Sequence, residues 1–119
     1  MKSLHRAKAL EAYSAGRITL KQGMSYPSYM MLKEAARGTL SYLIEDINDK
    51  EISEKTKLSN LLEWSKGCVI SDKEYDILNE LVKFEQGGLE SILTIPLDKL
   101  KMIKKVLKKI IAEQLGENL

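Results

Sequence analysis

A run of lysines near the end of the chain is the group of side chains best spaced to bind a ligand. The lysines are Lys99, Lys101, Lys104, Lys105, Lys108 and Lys109. Residues three and four apart lie on one face of a helix, so Lys101, Lys104, Lys105 and Lys108 are predicted to form a stripe. Such a stripe can contact phosphates or an acidic partner. It is also typical of the solvated face of an amphipathic helix, and no arginine or aromatic side chain is interleaved to stack on bases.

His5 and Cys68 are the side chains that could support general-base or nucleophilic catalysis. His5 is the single histidine, and we expect it to lie in a frayed N-terminal end. Cys68 follows a predicted helix end at Gly67, but no histidine is near it in sequence, and Val69 and Ile70 follow it. We therefore predict a buried, unreactive cysteine and no catalytic residue.

Carboxylates cluster around the connection between the second and third predicted helices. They are Glu45, Asp46, Asp49, Glu51 and Glu54. Oxygen ligands suit Mg²⁺, but this ion usually also needs substrate phosphates. Because the cluster surrounds a predicted surface loop, we interpret it as a solvated turn, and we predict neither a metal nor a cofactor.

The composition is that of an ordinary globular protein. The chain has 119 residues, 44% hydrophobic and 30% charged, with a formal net charge of +2. We expect one domain over residues 1–119. The charge alone is too small to indicate a nucleic-acid or membrane partner. Residues 1–6 lack the apolar run of a signal peptide, and there is no run of about eighteen apolar residues, so we expect a cytoplasmic protein without a membrane span. The single cysteine fits a reducing compartment.

Apolar residues recur at helical spacing, which predicts an all-α fold. We expect a small antiparallel bundle of four main helices plus a short fifth. The predicted helices cover residues 3–15, 27–48, 58–66, 72–86 and 96–114, and residues 89–94 add a brief helical turn. Leu4, Ala7, Leu10 and Tyr13 or Ser14 are expected to face the core from the first helix, and Gly16 to end it. Residues 16–25 are predicted to form a connector with at most one helical turn. The last helix is predicted to have an inner stripe of Leu100, Ile103, Leu107 and Ile110, widened by Val106 and Ile111.

Local signals support several helix positions. Pro27 and Pro96 suit the first position of a helix, where no backbone N–H is needed. Ser71 and Glu74 form a capping box, in which each side chain accepts a hydrogen bond from the other residue's backbone N–H. Gly38 lies mid-helix, where glycine costs about 1 kcal/mol relative to alanine, and this predicts close approach by another helix.

The second helix has one apolar stripe for the core and a surplus of tyrosine and methionine. The stripe is Tyr29, Leu32, Ala36, Leu40, Leu43 and Ile47. Surplus methionine and tyrosine often cover interfaces. The candidate interface residues are therefore Tyr26, Tyr29, Met30, Met31, Gly38 and Tyr42, although the same side chains can instead complete the core.

Two resemblances to known folds suggest functions. Residues 18–36 resemble a helix-turn-helix, although few residues between Gly16 and Gly23 are left for its first helix. The helix order, with residues 25–37 in the long helix, Lys57-Leu58-x-x-Leu61-Leu62, Tyr75-Asp76-x-Leu78 and a lysine-rich last helix, resembles the HEPN superfamily. That resemblance implies a helical bundle that commonly dimerises. Many members are metal-independent ribonucleases or partners of small nucleotidyltransferases in toxin–antitoxin systems.

The catalytic motif of that superfamily is missing. Its ribonucleases have an Arg-x4-6-His motif, whereas here His5 precedes Arg6, Arg17 and Arg37. The resemblance therefore implies a non-catalytic, HEPN-like binding or regulatory module. We expect it to form a homodimer or to dock a protein partner through the second helix, as in a toxin–antitoxin pair. The alternative is weak, sequence-independent nucleic-acid binding through the final lysine stripe.

Overall fold

The computed structural model describes residues 2–119, and this part of the chain is all-α. The helices are α1 Lys2–Lys21, α2 Ser25–Asn48, α3 Leu58–Ser65, α4 Asp72–Gln86, α5 Gly88–Leu93 and α6 Leu97–Gln114. No strand forms within residues 2–119, apart from an isolated bridge between Lys66 and Ile70. The predicted fold class is confirmed. The brief helical turn predicted at residues 89–94 corresponds to the separate short helix α5.

The first helix is longer than predicted. It continues through Gly16 to Lys21, so the expected connector shrinks to residues 22–24. Gly16 does not end the helix because it lies buried against α2, where a Cβ atom would stand 3.1 Å from the Leu32 side chain. Gly38 at the other end of the contact approaches His5 and Ala9. The two helices are therefore antiparallel and closely packed.

The face of α1 that enters the core also differs from the prediction. Its buried residues follow four- and three-residue steps and are His5, Ala9, Tyr13, Gly16 and Leu20. Leu4 and Ala7, which we expected in the core, are exposed, and Leu10 is half-buried. Of the predicted positions, Tyr13 is buried. The rest of the predicted face is displaced because α1 approaches α2 closely through the small residues Ala9 and Gly16.

Helix α2 is the centre of the molecule, and it packs against all five other helices. Its predicted stripe is buried from Tyr29 to Leu43, whereas Ile47, in the last turn, is 60% exposed. Burial raises the pKa of the Tyr29 phenol to about 12. Pro27 lies in the first turn as the third residue of the helix, two positions later than predicted.

The second half of the chain packs α3, α4 and α6 around this centre. The capping box at the start of α4 is confirmed: Ser71 Oγ accepts from the Glu74 amide at 3.1 Å, and Glu74 Oε1 accepts from the Ser71 amide at 2.8 Å. Pro96 precedes α6 as its N-cap residue instead of occupying its first position. The predicted inner stripe of α6 is confirmed as buried core: Leu100, Ile103, Leu107, Ile110 and Ile111.

Candidate functional site

The lysine stripe lies where α6 packs against α1. With its inner stripe in the core, α6 turns Lys101, Lys104, Lys105 and Lys108 towards a surface cleft of about 340 Å³. Lys104 is half-buried, and the other three lysines are exposed. The predicted stripe is thus one wall of a concave site.

Helix α1 supplies the opposite wall. Arg17 and Lys21 line the same cleft, and buried Leu20 lies beside them. The two cations are four residues apart, which places them on one face of a continuous helix. This wall was missed in the sequence because residues 16–25 were interpreted as a connector. The signal that would have revealed it is the four-residue spacing itself.

The six cations of this cleft are free of internal partners. Among residues 2–119 none of them forms an ion pair, and no carboxylate lines the cleft. Some lysines elsewhere are paired: Lys33 Nζ lies 3.0 Å from Glu85 Oε2, and Lys8 Nζ lies 3.2 Å from Glu54 Oε1. Other lysines, such as Lys50 and Lys83, also have no ion pair within residues 2–119, but they lie outside this cleft. What distinguishes the cleft between α1 and α6 is that six cations without an ion pair line it together. We call this site the basic cleft.

Two predicted members of the lysine run lie outside the basic cleft. Lys99 Nζ lies 3.6 Å from Glu80 Oε1 and 5.8 Å from the centre of the Phe84 ring, so its charge is directed to α4. Lys109 lines a separate groove between α4 and α6. The stripe that faces α1 thus contains only the four lysines at 101, 104, 105 and 108.

Arg17 differs from the other two arginines. Arg6 donates to the Leu115 carbonyl at 3.2 Å and to the Glu117 carboxylate. Arg37 donates to the Thr56 carbonyl at 3.2 Å and is also bound to Glu34. Arg17 has no such bond in the described chain. Burial raises the pKa of the Tyr13 phenol above its ordinary value, and the positive charge of Arg17 opposes part of this shift. The guanidinium available for a ligand is thus the one in the basic cleft.

His5 is buried, so the expected frayed end was wrong. Only 3% of the residue is exposed, and Nε2 lies 2.9 Å from the Ile52 carbonyl oxygen and 3.2 Å from Glu45 Oε1. The Ile52 carbonyl oxygen can only accept, so Nε2 is the protonated ring nitrogen and donates to it. Glu45 Oε1 also accepts from the Ile52 amide at 2.6 Å. We call these three residues the His5 latch. Because this nitrogen has no free lone pair, it cannot act as a general base.

The acidic cluster does not form a site. Glu45, expected in a solvated turn, is 6% exposed and belongs to the His5 latch. Asp46 pairs with Lys2, and Glu54 pairs with Lys8. Within residues 2–119 no group of three or more His, Cys, Asp or Glu side chains is placed to hold a metal ion.

Cys68 is exposed, which corrects the expected burial. It lies in the turn after α3, where its amide donates to the Ser65 carbonyl at 3.0 Å, and Val69 and Ile70 beside it enter the core. The apolar neighbours therefore indicated burial correctly for themselves but not for the cysteine.

The candidate interface residues do not form one outer surface. Tyr29 is 1% exposed, and Gly38 is buried against α1, so both belong to the interior. Tyr26 is exposed, while Met30, Met31 and Tyr42 are half-buried. Tyr29 and Gly38 thus follow the alternative stated for them, in which they complete the core, and the interface role of the other four residues stays a prediction. The close helix approach predicted at Gly38 is confirmed, and it occurs within the chain.

Comparison with known proteins adds no relative to this description: no family model, no curated protein and no solved structure matches the chain. Within residues 2–119, none of the helices has both the length and the apolar character needed to cross a membrane. The basic cleft is the arrangement from which a function can be argued.

Proposed function

We propose that the protein is a binding module that holds the phosphate backbone of a nucleic acid in the basic cleft. The observation that carries this proposal is the convergence of six unpaired cations from two helices on one cleft that no carboxylate lines. Like charges held together repel, and an anionic ligand would relieve this repulsion. The HEPN resemblance and the toxin–antitoxin role stay predictions.

The length of the cleft favours an extended polyanion over a single phosphate. Lys101 and Lys108 are seven residues apart, which in an α-helix is a rise of about 10 Å. Neighbouring phosphates of one strand fit within this length, so the wall can contact more than one phosphate of an extended polyanion. Arg17 and Lys21 on the other wall add contacts from the opposite side.

The chemistry of the cleft supports binding without sequence preference. Lysine supplies charge to phosphates but does not read bases in a fixed geometry. No aromatic side chain lines the cleft, so unpaired bases have no surface on which to stack. We therefore expect similar affinities for nucleic acids of different sequence.

A salt titration of binding to a fluorescent DNA duplex tests this proposal. If all six cations contact phosphates, the plot of log affinity against log salt should have a slope of roughly −5. Replacing Arg17 and Lys21 by Gln should reduce the magnitude of the slope by about 2, because two phosphate contacts are lost.

A matched control distinguishes the effect of the cleft residues on DNA binding from the effect of the protein's net charge. Lys50→Gln with Lys83→Gln removes the same formal charge at two exposed positions outside the cleft, and neither lysine forms an ion pair within the described chain. This variant should keep the wild-type slope. Equal slopes for both double variants, or no binding at low salt, would contradict the proposal.

A further inference from the structure

A second groove lies on the other side of α6, where this helix meets α4. It has a volume of about 530 Å³, and its apolar lining consists of Ile77, Met102 and Val106. Met102 is 56% exposed, and the other two side chains are half-buried. A methionine in such a position can adapt its shape to an incoming apolar side chain. We call this site the α4–α6 groove.

The border of the groove is positively charged. Lys73 comes from the first turn of α4, and Lys105 and Lys109 come from α6. None of the three forms an ion pair within residues 2–119. The one carboxylate in the lining, Glu74, is already bound to the Ser71 amide in the capping box. The groove therefore combines an apolar floor with a border of three cations and one anion, which has a net positive charge.

We propose that the α4–α6 groove docks an acidic amphipathic helix of a partner protein. Met102 and Val106 are one helical turn apart, so they can receive apolar side chains that a partner helix presents at three- and four-residue spacing. Acidic residues beside that apolar stripe would meet Lys73, Lys105 and Lys109. This charge complementarity selects the partner's chemistry.

The same features disfavour two other occupants. A second copy docked about a twofold axis would place the lysines of one groove against those of the other, which is repulsive. A nucleic-acid backbone would leave the floor of Ile77, Met102 and Val106 unused, since phosphates gain nothing from apolar contact. Neither occupant uses both the floor and the border.

The test uses a synthetic peptide of about 14 residues as the probe. Leucines at positions one, five, eight and twelve form a single helical stripe, and most other positions are glutamate. A control peptide has the same composition, but its leucines are spread around the helix. Fluorescence anisotropy should show binding of the striped peptide only, and this binding should weaken as salt is raised.

Variants of the protein locate the binding. Met102→Gln removes the exposed part of the floor and should weaken binding of the striped peptide by about tenfold. Lys73→Glu with Lys109→Glu should weaken binding by at least as much. This double variant replaces Met102→Gln as the test if Met102→Gln fails to fold. Leu93→Gln is the matched control, since Leu93 is 55% exposed on α5 and outside the groove. It should bind as the wild type does.

The outcomes separate this proposal from binding in the basic cleft. Arg17→Gln with Lys21→Gln should leave peptide affinity unchanged even though it reduces the salt slope for DNA. Equal binding of both peptides, or wild-type affinity in both groove variants, would overturn the proposed docking site. Self-association that Met102→Gln abolishes would overturn it in favour of a second copy. Loss of DNA affinity in Met102→Gln without loss of peptide affinity would overturn it in favour of nucleic acid.

Discussion

Helix α1 takes part in two contacts of opposite character. Towards α2 it presents His5, Ala9 and Gly16, and a Cβ atom added at Gly38 of α2 would stand 2.9 Å from the His5 carbonyl oxygen. Towards α6 it presents Arg17 and Lys21, and a cleft of about 340 Å³ lies between the two helices. The first contact is close enough that backbone atoms of one helix limit the side chains of the other. The second leaves space and charge for a ligand.

The two contacts also differ in whether their polar and charged groups have partners. In the His5 latch, His5 Nε2, Glu45 Oε1 and the Ile52 carbonyl and amide are joined by contacts of 2.6 to 3.2 Å. In the basic cleft, six cations have no ion-pair partner within the described chain. Satisfied buried groups stabilise a fold, whereas clustered like charges destabilise it in the absence of a ligand. The comparison therefore assigns stability to the α1–α2 contact and binding to the α1–α6 contact.

The largest effect is expected from Gly38→Leu. Its Cβ atom would lie 2.9 Å from the His5 carbonyl oxygen and 3.0 Å from the Ala9 amide nitrogen. These are backbone atoms, which cannot move aside without separating α1 from α2. We expect a loss of about 3 kcal/mol or more in the free energy of unfolding, measured by chemical denaturation.

A control for Gly38→Leu is Ala7→Leu, which introduces the same leucine side chain on the exposed side of α1. Its unfolding free energy should remain within about 0.5 kcal/mol of the wild type. If Gly38→Leu were as stable as Ala7→Leu, the close contact between α1 and α2 would be disproved.

A smaller loss is expected when the His5 latch is broken. His5→Ala leaves the Ile52 carbonyl and the buried Glu45 carboxylate without their shared donor, which should cost about 2 kcal/mol of unfolding free energy. Because Ile52 would be held less firmly, its amide should also exchange with solvent faster, and hydrogen exchange measures this.

The matched control for the latch is Lys8→Ala. Lys8 pairs with Glu54 of the same connecting segment, but both side chains are exposed, at 54% and 41%. Exposed ion pairs contribute little, so this variant should lose about 0.5 kcal/mol or less. Equal losses for His5→Ala and Lys8→Ala would show that the latch does not hold this segment.

The sequence predicted best those elements whose signals are local. The capping box at Ser71 depends on residues three positions apart, and the inner stripe of α6 depends on spacing within one helix. Both could be identified without knowing what the helix packs against. The four lysines of the basic cleft were found for the same reason.

The errors arose where a distant segment decides the outcome. Gly16 looks like a helix end, but Leu32 of α2 packs against it, and the helix continues. His5 looks like part of a frayed end, but the segment around Ile52 folds over it. Because of the first error, Arg17 and Lys21 were placed in a connector, and the α1 wall of the basic cleft was not predicted. Spacing within α1 could not show that this helix lies beside α6.

The smallest effect on stability is expected from Arg17→Gln with Lys21→Gln. This double variant tests most directly whether the basic cleft, unlike the α1–α2 contact, contributes to binding and not to stability. Neither cation has an ion pair to lose, and Gln is nearly as good a helix former as Arg and Lys. Removing two like charges four residues apart should relieve a few tenths of a kcal/mol of repulsion. The variant should therefore unfold at the same denaturant concentration as the wild type or slightly later. Any gain should be largest at low salt and vanish near 1 M salt, where the Debye length is about 3 Å.

A loss of more than about 1 kcal/mol would mean that these cations stabilise the fold, and the basic cleft would then be structural. Unchanged stability together with a reduced salt slope for DNA would show that the cations act on a ligand, because a structural role cannot weaken binding while leaving the unfolding free energy intact.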